Sequence, residues 1–253
     1  MTIPNDSKRR LGVLFLLTVL FFLSPPVFNA CAAGVPKELD CSKALVSIQS
    51  VNAVVATRDK EGALSGAAAL FLNKNPARLV KYSRSGSGVV IDPRGIIVTN
   101  AHLVQNAAGI SVELFNGIRF EGRVIHVISG SDIAFLSIKP SFQLSYIPLA
   151  NSDRLEPGAR VFFIGHALNH RGSLFGGEVS AIMKQSSFRR FRTALLQVRF
   201  GFHLYGGDSG SPILNRQGCL VGLVSGGRRT GDMATLAIAS NVIRDAFWNI
   251  PKF

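Results

Sequence analysis

An all-β fold is the class the sequence predicts: two six-strand series, each suited to an antiparallel barrel, with a helix at the C-terminal end. Three observations lead there. Short apolar runs recur along the chain and are separated by turn residues. Asn116-Gly117, the strongest short hairpin cue, stands between two of these runs. After Ser240 the period changes, with Val242, Ile243, Ala246 and Phe247 recurring at helical spacing. Close spacing of the strands favours antiparallel barrels over βαβ units.

Taken in order, residues 33–43 read as an exposed leader and Ala44 to Thr57 as a strand or a mixed helix-to-strand entry, since apolar and polar residues partly alternate. Between Arg58 and Arg84 the pattern loosens, which predicts an insertion or mobile loop carrying a short helix. Gly88-Val-Val-Ile91 then passes through the turn Asp92-Pro93-Arg94-Gly95 into Ile96-Ile-Val98. Ser111 to Phe115, Ile118 to Phe120, Gly122 to Ile128 and Ile133 to Ile138 follow as strands. These runs make residues 33–84 an N-terminal segment with the first strand and a variable loop, and 85–139 the remainder of the first barrel. Residues 140–157, with Pro140, Pro148 and Pro157, read as the connector. The second barrel and the helix fill 158–253, with strands expected at Arg160–Ile164, Gly176–Ile182, Ala194–Val198, Pro212–Leu214, Leu220–Val224 and Ala234–Ile238. Ser240 is the expected helix N-cap.

The first 32 residues have a different composition. Lys8-Arg9-Arg10 precedes the uncharged run Leu11 to Leu23, which is short for a bilayer span, and Ala30-Cys31-Ala32 offers an A-x-A cleavage pattern. A signal peptide and an extracytoplasmic (periplasmic or secreted) protein are expected, with a membrane tether through residues 11–23 as the alternative. Lipidation at Cys31 is a third reading, disfavoured by the poor lipobox Phe28-Asn29-Ala30. Cleavage after Ala32 leaves Cys41 and Cys219, either a disulfide in an oxidising compartment or two unpaired thiols. The formal net charge of +13 invites anionic partners. Its one dense patch, Phe188-Arg189-Arg190-Phe191-Arg192, carries no nucleic-acid motif and reads as a solvated loop, so no nucleic-acid partner is expected.

Chemistry concentrates at Gly207-Asp208-Ser209-Gly210-Ser211-Pro212. Glycines on both sides of Ser209 permit a sharp turn that exposes a hydroxyl and points backbone N–H groups at one place. Serine is a weak nucleophile unless a base and an orienting carboxylate accompany it. His102, in Thr99-Asn100-Ala101-His102, and Asp132, in Ser131-Asp132-Ile133-Ala134, supply both in the order His, Asp, Ser. His166 and His170 lack supporting carboxylates or cysteines, so no metal site is expected, and no cofactor.

Gly86-Ser-Gly-Val-Val-Ile-Asp92, Ile97-Val-Thr-Asn-Ala-His102, Ser131-Asp-Ile-Ala-Phe-Leu136 and Gly207-Asp-Ser-Gly-Ser-Pro212 together resemble the trypsin-like serine peptidases of the HtrA/Deg type. The resemblance covers roughly residues 85–247. It implies two six-stranded antiparallel β-barrels, a chymotrypsin-like double barrel with the active site between them. It also implies a serine endopeptidase with His102, Asp132 and Ser209 as triad and the N–H groups of Gly207 and Ser209 as oxyanion hole. Peptides or unfolded proteins would be the substrates, and a trimer follows by analogy only. Ser225, Gly226 and Gly227 resemble the strand that pairs with substrate backbone, and His203 falls near the base of the expected P1 pocket. Asp208 and Ser211 depart from the usual Gly-Asn-Ser-Gly-Gly-Pro of the type, as does the stretch Gln197 to Gly206. With no PDZ domain after the protease core, control by PDZ-bound peptides is not expected. A catalytically inactive binding or chaperone-like protein of the same fold is the second reading.

Overall fold

The computed structural model describes residues 41–56, 78–165, 172–185, 193–202, 204–227 and 234–250. Thirteen strands and a C-terminal helix, Ser240–Trp248, dominate them. The signal-like segment, the basic patch at 188–192 and the histidines His166, His170 and His203 lie outside the described residues.

The first sheet has seven strands in the order β5-β4-β1-β2-β3-β7-β6. They are β1 (Leu45–Ala56), β2 (Arg78–Asp92), β3 (Ile96–Thr99), β4 (Gly109–Glu113), β5 (Arg119–Glu121), β6 (Arg123–Ile128) and β7 (Ile133–Ser137). All pairings are antiparallel. The seventh strand arises because Gly122 alone separates the two edge strands β5 and β6. Its N–H still donates to the Ile110 carbonyl at 2.9 Å, while a Cβ there would lie 2.9 Å from Ile110 Cγ2. A bend at this glycine joins the two edges of the sheet and curls it into a barrel-like half.

The expected loosening before Arg84 is overturned in part. Residues 78–84 belong to β2, which runs antiparallel to β1 along its whole length. Pairing with a full-length neighbour holds as strand a segment whose own sequence does not alternate.

The second sheet is a closed barrel in the order β10-β13-β12-β11-β8-β9. Its strands are β8 (Arg160–Ile164), β9 (Leu174–Gln185), β10 (Thr193–Arg199), β11 (Pro212–Leu214), β12 (Leu220–Gly227) and β13 (Ala234–Ala239). Inward residues such as Val161, Phe163, Val179, Leu196, Val198, Ile213 and Leu223 are almost fully buried. Phe163, Phe175, Phe200 and Phe202 pack with ring centroids between 4.8 and 6.3 Å apart, a geometry favoured for aromatic pairs.

The connector between barrels holds the C-terminal helix. Ser240 lies within the helix instead of capping it, and its hydroxyl donates to the Ala150 carbonyl at 2.8 Å. The cap comes from a distant residue: Ser152 Oγ accepts from the Asn241 N–H at 3.0 Å, and Asn241 Oδ1 accepts from the Ser152 N–H at 3.3 Å. The exchange satisfies donors that a helix start leaves open.

Cys219 takes part in a disulfide, but Cys41 is not its partner. Cys41 Sγ lies 3.6 Å from the Gly218 carbonyl oxygen. Neither reading of the pair holds, since Cys219 is disulfide-bonded but not to Cys41: proximity of the two chain segments does not by itself join their sulfurs.

Candidate active site

The two barrels meet around the serine loop. Ser87 on β2 donates its backbone N–H to the Ser209 carbonyl at 2.8 Å and its hydroxyl to the Gly207 carbonyl at 2.8 Å. The Ser87 carbonyl accepts from Thr99 Oγ1 at 2.7 Å, at the end of β3. On the other side, Gly210 donates to Val224, and Val224 donates to Ser211, at 2.8 and 2.9 Å. Asp208, only 3% exposed, accepts from the Tyr205 N–H at 2.9 Å, which fixes the turn from within. The loop that carries Ser209 is thus held by both barrels.

Gly210 makes this close approach possible. Its φ is +85°, and a Cβ would collide with the Ser87 carbonyl and lie 3.0 Å from Thr99 Oγ1. Both obstacles belong to anchoring strands. Gly210→Ala is expected to destabilise the protein by on the order of 3 kcal/mol or more, read as a lower urea midpoint at unchanged m-value.

His102 sits in the short helix Ala101–Val104 directly after β3. Asp132 ends a 3₁₀ turn in left-handed conformation, φ 53°, and its backbone carbonyl accepts from the Ala101 N–H at 3.1 Å. Asn100 Nδ2 donates to the same carbonyl at 3.2 Å. The two chain segments are therefore locked before their side chains meet. His102 Nδ1 lies 3.0 Å from both carboxylate oxygens of Asp132, and the His102 N–H donates to Oδ1 at 3.0 Å. With the proton on Nδ1, Nε2 keeps its lone pair, the tautomer a general base requires.

A further partner comes from the second barrel. Ser225 Oγ donates to Asp132 Oδ2 at 2.6 Å, across a sequence separation of 93 residues. Pairing of β12 with β13 shifts register between Val224 and Gly226, so Ser225 is the bulged residue. A bulge re-aims a side chain, and here it aims the hydroxyl at the first barrel. The sequence marks Ser225 only as part of a substrate strand; nothing local to it announces the contact with Asp132. Gly226 and Gly227 continue β12, paired with Leu236 and Thr235.

Burial pushes the Asp132 carboxyl up, but the His102 and Ser225 hydrogen bonds and the His102 charge outweigh it and hold the pKa below the ordinary 3.8. Asp92 behaves alike: burial raises its pKa, while three hydrogen bonds from Arg94, at 2.7 to 2.9 Å, and the Arg94 charge lower it below 3.8. Both carboxylates bind protons more weakly folded than unfolded. Their stabilisation is complete above about pH 4 and is lost as pH falls through the depressed folded values. Urea midpoints measured between about pH 6 and pH 2 are expected to drop, and to drop less in Asp92→Asn.

The N–H groups of Gly207 and Ser209 donate to no acceptor among the described residues, and Gly207 has a φ of +108°. Ser209 is half-buried, and its Oγ makes no hydrogen bond there. The neighbouring Ser211 hydroxyl is buried without a hydrogen-bond partner. No cluster of three metal-ligating side chains occurs among the described residues.

A family model described as the trypsin-like peptidase domain matches residues 86–223, from within β2 to within β12. The periplasmic serine endoprotease DegP of Salmonella typhimurium is 33% identical over 59% of this chain and 31% of its own length. Serine protease HTRA1 of Xenopus laevis is 31% identical over 55% of this chain and 30% of its own. The chain thus spans under a third of the length of these relatives when aligned. Among solved structures, an HtrA-type protease with a decapeptide superposes with a TM-score of 0.66 at 18% identity, covering 83% of this chain and 65% of the other. That likeness shows the double-barrel fold. The matched region holds His102, Asp132 and Ser209, and the chain belongs to the trypsin-like peptidase domain family.

Proposed function

We propose that the chain is a serine endopeptidase in which His102, Asp132 and Ser209 act as a triad. The observation that carries the reading is the orientation of His102 by an Asp132 carboxylate that both barrels hold. Ser209 Oγ attacks the scissile carbonyl as His102 accepts its proton, and the acyl-enzyme forms when that proton passes to the leaving amine. Water then cleaves the ester by the same steps in reverse. The unengaged N–H groups of Gly207 and Ser209 stabilise the tetrahedral oxyanion. Asp132 keeps the imidazole in its tautomer and stabilises the imidazolium, and Ser225 positions Asp132. Gly226 and Gly227 offer backbone to an extended substrate. No step uses a cofactor.

Peptides and unfolded exported proteins are the proposed substrates. The signal-like N-terminal segment and the periplasmic relative support an extracytoplasmic site. Tethering through residues 11–23 and trimer formation belong to the same proposal, the second by analogy alone. A second reading has one observation in its favour. Among the described residues Ser209 Oγ makes no hydrogen bond, as in a binding or chaperone-like protein that has lost catalysis. Under the enzymatic reading a Ser209–His102 hydrogen bond forms when substrate is bound, since catalytic hydrogen bonds are often loose in free enzymes. A fluorophosphonate probe separates the two. Covalent labelling is expected, and is expected to vanish in both Ser209→Ala and His102→Ala. A folded wild-type chain that takes no label would leave only the binding reading.

A further inference from the structure

We infer that the outer face of the second barrel carries a binding site for a compact divalent oxyanion of the phosphate or sulfate class, built from Arg160, Arg199 and Arg216. Glu178 on β9 is the register partner of both Arg160 on β8 and Arg199 on β10. Adjacent strands lie about 4.8 Å apart, so the two arginines stand at one level about 10 Å apart. The turn after β11 brings Arg216 to the same surface hollow, which has a volume of about 570 Å³. Gly176, on the same face as Glu178, leaves the hollow open; a Cβ there would lie 3.7 Å from Arg160 Nη2.

The charge balance gives the ligand. All four side chains are exposed, and none forms a hydrogen bond or ion pair among the described residues. Three guanidinium groups and one carboxylate leave two positive charges uncompensated. The net positive charge gathered at the hollow repels itself, and a bound dianion would relieve that. Guanidinium forks match the paired oxygens of phosphate and sulfate, which chloride lacks. Glu178, between Arg160 and Arg199, repels any anion in the hollow, and most of all a continuous polyanion laid along the row, whereas a compact dianion is opposed by this one carboxylate and attracted by three arginines. The site shares no residue with the triad or the serine loop.

Calorimetric titration of the full chain with inorganic phosphate and with sulfate, at constant ionic strength set by chloride, tests the site. Saturable binding with a Kd of about 1 mM or tighter is expected. Arg160→Gln and Arg216→Gln should each weaken it about tenfold, the scale of one charge-assisted hydrogen bond. Glu178→Gln should tighten it several-fold by removing repulsion. All three positions are exposed, and circular dichroism identifies any variant that unfolds. No saturation up to about 50 mM beyond the chloride control would overturn the proposal. So would wild-type affinity in both arginine variants. Binding to phosphatidylglycerol vesicles that inorganic phosphate does not displace would also overturn it, in favour of a membrane surface.

Discussion

Ser209→Ala is expected to abolish peptide hydrolysis, lowering kcat by on the order of 10⁶, because the other hydroxyl on the loop, that of Ser211, is fully buried and cannot form the acyl-enzyme. The stability should barely change. Ser209 Oγ makes no hydrogen bond among the described residues, and the anchors of the loop run through backbone groups: Ser87 N–H to the Ser209 carbonyl and Gly210 N–H to Val224. The variant should therefore still bind peptide. Turnover of an unfolded protein substrate and the thermal midpoint, measured on the same preparation, check both halves. Hydrolysis within tenfold of wild type would remove Ser209 from the mechanism.

Asp132→Asn is expected to lower kcat by on the order of 10⁴ with the fold retained. The carboxylate accepts from the His102 backbone, His102 Nδ1 and Ser225 Oγ. An amide offers one acceptor and one NH₂ donor. When the NH₂ faces Nδ1, the imidazole carries its proton on Nε2 and can no longer accept one from Ser209. The diagnostic result is a large fall in kcat with little change in KM, since the tautomer affects the chemical step and not substrate contacts. A matching rise in KM would indicate that the cleft itself had been disturbed. Mechanistically the two substitutions differ: the first removes the nucleophile, and the second leaves it without a competent base.

How much of this was legible in the sequence differs from element to element. Pro212–Leu214 and Arg160–Ile164 were expected as strands with the bounds observed, because short apolar runs between turn residues leave little freedom. Residues 78–84 were not, since their strand conformation is imposed by pairing with β1. Ser240 looked like a cap by residue type, yet Ser152, 89 residues away from Asn241, does the capping. Cys41 and Cys219 made an even pair by arithmetic, but the disulfide of Cys219 excludes Cys41.

Gly207-Asp208-Ser209-Gly210 shows the same division. Residue chemistry alone determined that a glycine-flanked serine, a histidine and an aspartate occur in an order suited to nucleophilic catalysis, and that the chain is all-β. Only the tertiary structure decided how those parts are held. Ser87 clamps the serine loop from the first barrel, and a bulge in the second aims Ser225 at Asp132. The physical reason is range. Turn and strand preferences act over a few residues and can be read locally, whereas these hydrogen bonds link positions 93 to 122 residues apart and exist only once the barrels have packed.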